Sequence, residues 1–257
     1  MKMNVLNVSM KRLALLFVIA LSVACAGEQN LSFEARVGDT PWTCGSDIEG
    51  VGLSSSTISP RDFRVFIHDI KLDGVEVNVP DGPFSKDGTV LLDFADDTGG
   101  CTSTPETNTE LTINSTLSTG ELEFTIGVPF EQNHQDVEVA DAPFNDPTLF
   151  WNWQAGYKFV RIDHATTGLE SHSFHLGSTG CETDENDVVT SCANENRQTF
   201  RANVDFDTSV AVFDLETLFG NSDLDVDEGG VPGCLSAPTD PECDSILTRV
   251  DDFMRFE

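Results

Sequence analysis

The chain has 257 residues, a formal net charge of −30 and a sequence pI near 4.1. Such an acidic surface repels nucleic acid and anionic lipid, and it suits a cationic partner, a metal or simple solvation. Disorder is excluded by 39% hydrophobic residues and 18 Phe, enough to build a core.

The first 26 residues read as an export signal. Lys2, Lys11 and Arg12 form a basic region, and Leu13 to Val23 is an apolar run too short to be a membrane-spanning helix. Ala24-Cys25-Ala26 fits cleavage before Gly27, whereas Ser22-Val23-Ala24-Cys25 resembles a lipobox with Ser22 where Leu is usual. A Cys so close to the apolar run has no other evident use. That favours lipidation of Cys25 and a membrane-anchored protein at the periplasm or cell surface.

After the signal, Leu31, Phe33, Ala35 and Val37 alternate with polar residues, as in a half-buried strand ended by Gly38-Asp39-Thr40-Pro41. A Gly/Ser loop leads to Arg61–Leu72. There Phe63, Val65 and Ile67 share one face and Arg64, Phe66, His68 and Ile70 the other, so this strand is expected to be buried on both sides. Short strands follow at Gly74–Val79, Val90–Phe94, Leu111–Leu117 and Leu122–Val128, the last two forming a hairpin. Residues 130–148 are a loop of a length usually reserved for function. An aromatic strand pair over Leu149–Asp163 and a short strand over Ser171–Leu176 come next, then an acidic loop over Glu182–Asn196. Gln198–Phe206 and Ser209–Phe213 alternate again, and Asp214–Phe219 suits a helical turn. Residues 221–257 are an acidic, Gly/Pro-rich tail beyond a main domain of residues 27–220. The expectation is a mainly β, sandwich-like single domain with long loops, stapled by disulfides.

Six Cys remain after Cys25, an even number in an exported chain. The short separations favour Cys181–Cys192 and Cys234–Cys243 as local pairs, leaving Cys44–Cys101. No C-x-x-C pair supports a thiolate metal site.

Four of the five His, two of the three Trp and the only Tyr crowd into residues 128–181. His134 follows a strand end, His164 sits at another and reads as exposed, and His172 and His175 face opposite sides of their strand. Imidazoles suit copper, zinc, nickel and iron, with Asp136 and Asp163 as candidates to orient them. His68 lies mid-strand, where a satisfied strand residue is the commoner role. H-E-x-x-H, G-x-S-x-G, Walker A, G-x-G-x-x-G and C-x-x-C-H motifs are absent, so no motif supports a zincin-type hydrolase, a serine-nucleophile hydrolase, nucleotide binding or haem attachment. Asp223, Asp225 and Asp227 alternate as in a calcium loop, but Glu228 stands where an EF-hand needs Gly and flanking helices are lacking.

Seven ordered phrases carry a resemblance. They are F-E-A-R-V-G with Pro41 and Cys44; D-F-R-V-F-I-H-D-I-K-L; L-L-D-F with Cys101; F-T-I-G-V-P with Asn133-His134; F-W-N-W-Q-A-G-Y-K-F-V-R-I-D; F-H-L-G-S-T-G-C; and Cys192 to Arg197. Together, over residues 31–217, they resemble the MbnP-like family, the four-Cys partner of a di-haem peroxidase-like enzyme in a two-gene metal-associated system. The resemblance implies an exported copper-binding protein that is itself no enzyme but the substrate of one. A Trp oxidised to kynurenine would join His side chains around copper, since indole has no free lone pair whereas kynurenine exposes an aryl amine and a ketone. By position, His134 and His175 match the family's histidines, His68 is a further ligand, and Trp153, ahead of Trp151, is the oxidised residue. Cys44, Cys101, Cys181 and Cys192 match its four Cys, and Cys234 and Cys243 lie outside it. Two rival readings use the same residues differently: a secreted metal-dependent oxidase or hydrolase, and a disulfide-stapled surface module binding a protein or glycan.

Overall fold

The structure, a computed structural model, describes residues 27–257; the expected export signal and Cys25 lie outside the described residues. Among the described residues, no helix is long and apolar enough to cross a membrane.

Two sheets face one another across a Phe-rich core. The smaller is built on Gly27–Val37, which pairs in parallel with Val210–Asp214 and antiparallel with Glu110–Ser115. The larger is organised by the 17-residue strand Ser56–Leu72, which pairs with Thr89–Asp93, Thr119–Ile126 and Val160–Ala165. Gln198–Asp205 extends it on one side and His172–Leu176 on the other. The core face of this strand carries Phe63, whose ring meets Trp42 edge-on at 5.6 Å and Phe213 at 5.9 Å. Phe213 also stacks on Phe33 at 5.8 Å, so the aromatic contacts run from one sheet to the other. Each such fully buried Phe stabilises the fold by about 1.5–3 kcal/mol. The fold is thus mainly β and sandwich-like, and Trp42 serves as packing.

Burial of residues 62–68 on both faces follows the pattern anticipated from the alternation. What covers the outer face is the 130–150 segment. It contains a helical turn, Phe130–Asn133, and a short 3-10 turn, Pro147–Leu149. Phe144 stacks on Phe66 at 5.7 Å, and the Tyr157 hydroxyl donates to the Phe144 carbonyl at 2.6 Å.

Beneath this cover the central strand buries a charge cluster. Arg64 grips both carboxylate oxygens of Asp62, at 2.8 and 2.5 Å, and reaches Asp146 at 2.6 Å and Thr148 at 2.9 Å. The guanidinium is therefore paired by two carboxylates, which is what makes its burial tolerable. Asp146 also accepts from the Thr148 backbone N–H, so one arginine anchors the 3-10 turn that leads into the tryptophans.

Four expectations change. The strands expected over Leu111–Leu117 and Leu122–Val128 form no hairpin: Glu110–Ser115 pairs with Gly27–Val37 in the smaller sheet and Thr119–Ile126 with Ser56–Leu72 and Gln198–Asp205 in the larger, so the turn between them crosses from one sheet to the other. His164 is not exposed: it is fully buried on the core face, stacked on His172 at 4.9 Å and edge-on to Phe219 at 5.4 Å. The strand end lies inside the sandwich because Leu215–Phe219 folds over it. The 182–196 region is no loop but a hairpin of Thr179–Thr183 with Val189–Asn194, in which Cys181 sits directly opposite Cys192. Its polar strands gave no alternation to read, because neither face is buried. Residues 221–257 join both sheets: Gly233–Cys234 pairs with His172–Leu176, and Met254–Phe256 with Val210–Asp214.

Disulfides join Cys44 to Cys101, Cys181 to Cys192 and Cys234 to Cys243. The first closes a sequence separation of 57 residues, for which the chain-entropy model gives a stabilisation of roughly 4 kcal/mol.

Candidate metal centre

Beyond the strand Thr119–Ile126, Pro129 opens the turn Phe130–Asn133, which delivers His134 to the surface. Asn133 is fully buried and pins this turn. Its side-chain oxygen accepts from the Tyr157 N–H at 2.9 Å, and its amide donates to the Ala155 carbonyl at 3.3 Å. Both partners belong to the small hairpin of Phe150–Asn152 with Gly156–Tyr157. At its tip Asn152 accepts from the N–H groups of Gln154 and Ala155, and Trp153 projects with 49% of its surface exposed.

His134 and Trp153 meet here. Nδ1 of His134 donates to the Trp153 carbonyl at 3.2 Å. A carbonyl can only accept, so the proton sits on Nδ1 and the lone pair on Nε2. Burial lowers the His134 pKa, the Trp153 carbonyl opposes this, and Arg197 adds to the lowering, which keeps the imidazole neutral as a ligand must be. The two residues line a cleft of about 510 Å³ with Phe130, Glu131, Asp187 and Val189. The sulfurs of Cys181 and Cys192 come within 4.8 Å of a ring nitrogen of His134, although as a disulfide they offer no thiolate.

Trp151 is different. It is partly buried against Gly177, where an added Cβ would lie 2.6 Å from the indole, so only glycine admits the ring.

His68 lies across a ridge from His134. Its cleft, about 380 Å³, shares Phe130 and Glu131 with that of His134 and adds Asp69, Glu76 and Arg197. The His68 Nε2 is buried without a partner, and burial pushes its pKa down to about 4.

His175 is held elsewhere, on the outer face of its strand. Its Nε2 donates to Asp163 at 2.9 Å, and Arg161 donates to the other oxygen of that carboxylate at 2.7 Å. Burial alone would raise the Asp163 pKa, but His175, Arg161 and Ser173 outweigh it and hold the carboxyl well below its usual range. The arrangement leaves Nδ1 of His175 as the unprotonated nitrogen, buried without a partner. Asp163 thus does orient a histidine. Asp136 does not; it caps its own turn by accepting from the Glu138 N–H.

The fold brings His134 together with Trp153 and sets His68 beside them, while His175 is locked into a separate carboxylate pair. Among the described residues, these three His do not bring their ring nitrogens within 4.8 Å of one another as a trio. Asn133 entered the sequence reading only as the neighbour of His134 in the phrase F-T-I-G-V-P with Asn133-His134, with no role of its own. Of the acidic tail, Asp225 accepts from the Ser56 hydroxyl at 2.6 Å and the Gly168 N–H at 2.8 Å, while Asp223 and Asp227 accept from N–H groups of their own loop. Asp225 thus clamps the loop to the long strand, and Asp223 and Asp227 hold the loop's own turns.

The family model for MbnP matches residues 26–236. A search of curated proteins finds no match. Among solved structures, MbnP from Methylosinus trichosporium is similar, with 26% sequence identity and a TM-score of 0.77 over 86% of this chain and 87% of that one. A match spanning the sandwich, the His134–Trp153 hairpin and the Cys181–Cys192 staple means that the chain belongs to the MbnP family.

Proposed function

We propose that this is an exported copper-binding protein, used in copper acquisition or storage, whose site is built at His134 and a kynurenine formed from Trp153. The observation that carries the reading is the His134–Trp153 hydrogen bond at the mouth of a carboxylate-rimmed cleft. It puts the imidazole lone pair on Nε2, where the Asn133 amide donates to it at 3.4 Å, a long bond that a metal can displace, beside the half-exposed indole, which a large redox enzyme can reach more easily than Trp151. Opening the indole to kynurenine supplies the amine and ketone donors that indole lacks. The neutral imidazole of His134 suits a soft or borderline ion such as copper. His68, one cleft away, is the nearer candidate for a further ligand, and His175 would have to enter through Nδ1 while keeping Asp163.

In this reading the protein is not a catalyst but the substrate of a di-haem peroxidase-like partner. The acidic surface offers a cationic partner a favourable approach. Export by the N-terminal signal, with Cys25 as lipid anchor, would place it at the periplasm or cell surface; Cys25→Ser should then move it from membrane to soluble fractions.

The test is to produce the chain with and without the di-haem partner. Intact mass, a peptide map across residues 128–181 and bound copper are then measured. A modified Trp153 and stoichiometric copper with the partner, and neither without it, are expected. Unmodified tryptophans and no copper in both preparations would sink the proposal.

A further inference from the structure

One donor set stands apart from the kynurenine reading. A ring nitrogen of His134 and the sulfurs of Cys181 and Cys192 all lie within 4.8 Å of one another. The two cysteines face each other in register across a two-stranded hairpin that forms a sheet of its own. Both are half-buried, whereas in the Cys44–Cys101 bridge only Cys44 is and Cys101 is nearly fully buried, and Cys234 and Cys243 are both fully buried. A disulfide is reduced by attack of an external thiolate on an accessible sulfur, so this bridge is the most open of the three to a reductant.

We infer that the Cys181–Cys192 disulfide masks a second, redox-gated site: reduction by a dithiol yields a Cys181/Cys192/His134 donor set for a soft monovalent ion, copper(I). The dithiol gives two electrons and two protons; the S–S bond breaks, two thiols form, and the reductant closes its own disulfide. Copper(I) then displaces both thiol protons, leaving two thiolates and one neutral imidazole as ligands. Thiolates select copper(I) strongly, and once the S–S bond is broken the two sulfurs need only part to ligand spacing, with the imidazole nitrogen already within 4.8 Å of both. In an oxidising compartment the bridge is closed, so the site exists only where a reductant reaches the protein. The inference does not depend on kynurenine, because neither sulfur nor imidazole is altered by oxidation of Trp153.

The experiment uses the mature chain made without the di-haem partner, so that its tryptophans are intact. It is treated with dithiothreitol without denaturant, and differential alkylation identifies which cysteines open. Copper(I) binding is measured by competition with bicinchoninate, before and after reduction. Cys181 and Cys192 are expected to open first, with one tight copper(I) gained per chain on reduction. The gain should vanish in Cys181→Ser/Cys192→Ser and weaken about tenfold or more in His134→Ala. If the other bridges open first, if reduction adds no copper(I), or if the double variant or His134→Ala retains the full gain, the inference is overturned. Copper in the oxidised, partner-treated chain bears on the kynurenine site alone, so the two proposals fail separately.

Discussion

The Nδ1 hydrogen of His134 is held by the backbone carbonyl of Trp153, 3.2 Å away. One residue thereby fixes the tautomer of the imidazole and presents its own indole to solvent beside it. If the proposed centre is right, His134→Ala should lose stoichiometric copper while Trp153 is still modified. Trp153→Phe should lose both, and Trp151→Phe should keep the modification. Elemental analysis and intact mass read all three, and copper retained in His134→Ala would refute the assignment.

Asn133 is expected to act through His134 without touching metal. Removing its side chain leaves the Tyr157 N–H and the Ala155 carbonyl without their partner in a buried setting, worth about 1–3 kcal/mol. Asn133→Ala should lower the denaturation midpoint and weaken copper binding with His134 still in place. Asn133→Asp keeps the acceptor for Tyr157 and should recover part of both. An Ala variant that unfolds less easily than the parent chain would contradict this account.

The Asp62–Arg64–Asp146 cluster makes a stability prediction. Asp62→Ala leaves the buried guanidinium with one carboxylate fewer, a loss of about 3–5 kcal/mol by the behaviour of broken buried pairs. Asp62→Leu/Arg64→Met removes both charges and should be milder. Urea unfolding of the three chains decides it; a double variant worse than the single would show that pairing is not what holds the segment.

Acid sensitivity should follow from three buried imidazoles. Burial lowers His68 and His172 to about 4 and His164 to about 3, from an ordinary 6.5. Between pH 6.5 and 4 the unfolded chain binds these protons and the folded chain does not. Their neutral burial therefore stabilises the fold fully above pH 6.5 and progressively less as pH falls through this window. Each contributes a slope near 1.4 kcal/mol per pH unit. Asp93, raised to about 6 by burial despite its bond to the Ala95 N–H, opposes them between pH 6 and 4. Unfolding free energy measured across pH 4–7 should fall with acid, and His164→Leu/His172→Leu should flatten the curve. An unchanged slope in that double variant would exclude these groups as the cause.

By itself the sequence determined the class of the molecule. Alternation at Leu31–Val37 and Phe63–His68 follows directly from the two-residue period of a strand, and it told correctly that the long strand is covered on both sides. Short separations told the local disulfides, because a nine- or eleven-residue gap leaves two cysteines few other partners. Only the tertiary structure decided what covers each face, since side-chain period says which residues point together and nothing about what arrives from afar. That is why His164, at a strand end, turned out to lie under Leu215–Phe219, and why the hairpin beside His134 read as a loop. It is also why three histidines that look alike in the chain part company. His134 is carried to Trp153 by a helical turn pinned through Asn133, His68 stands in the neighbouring cleft, and His175 is taken by Asp163 on the adjacent strand. Those differences rest on hydrogen bonds between segments many residues apart, and no local pattern encodes them.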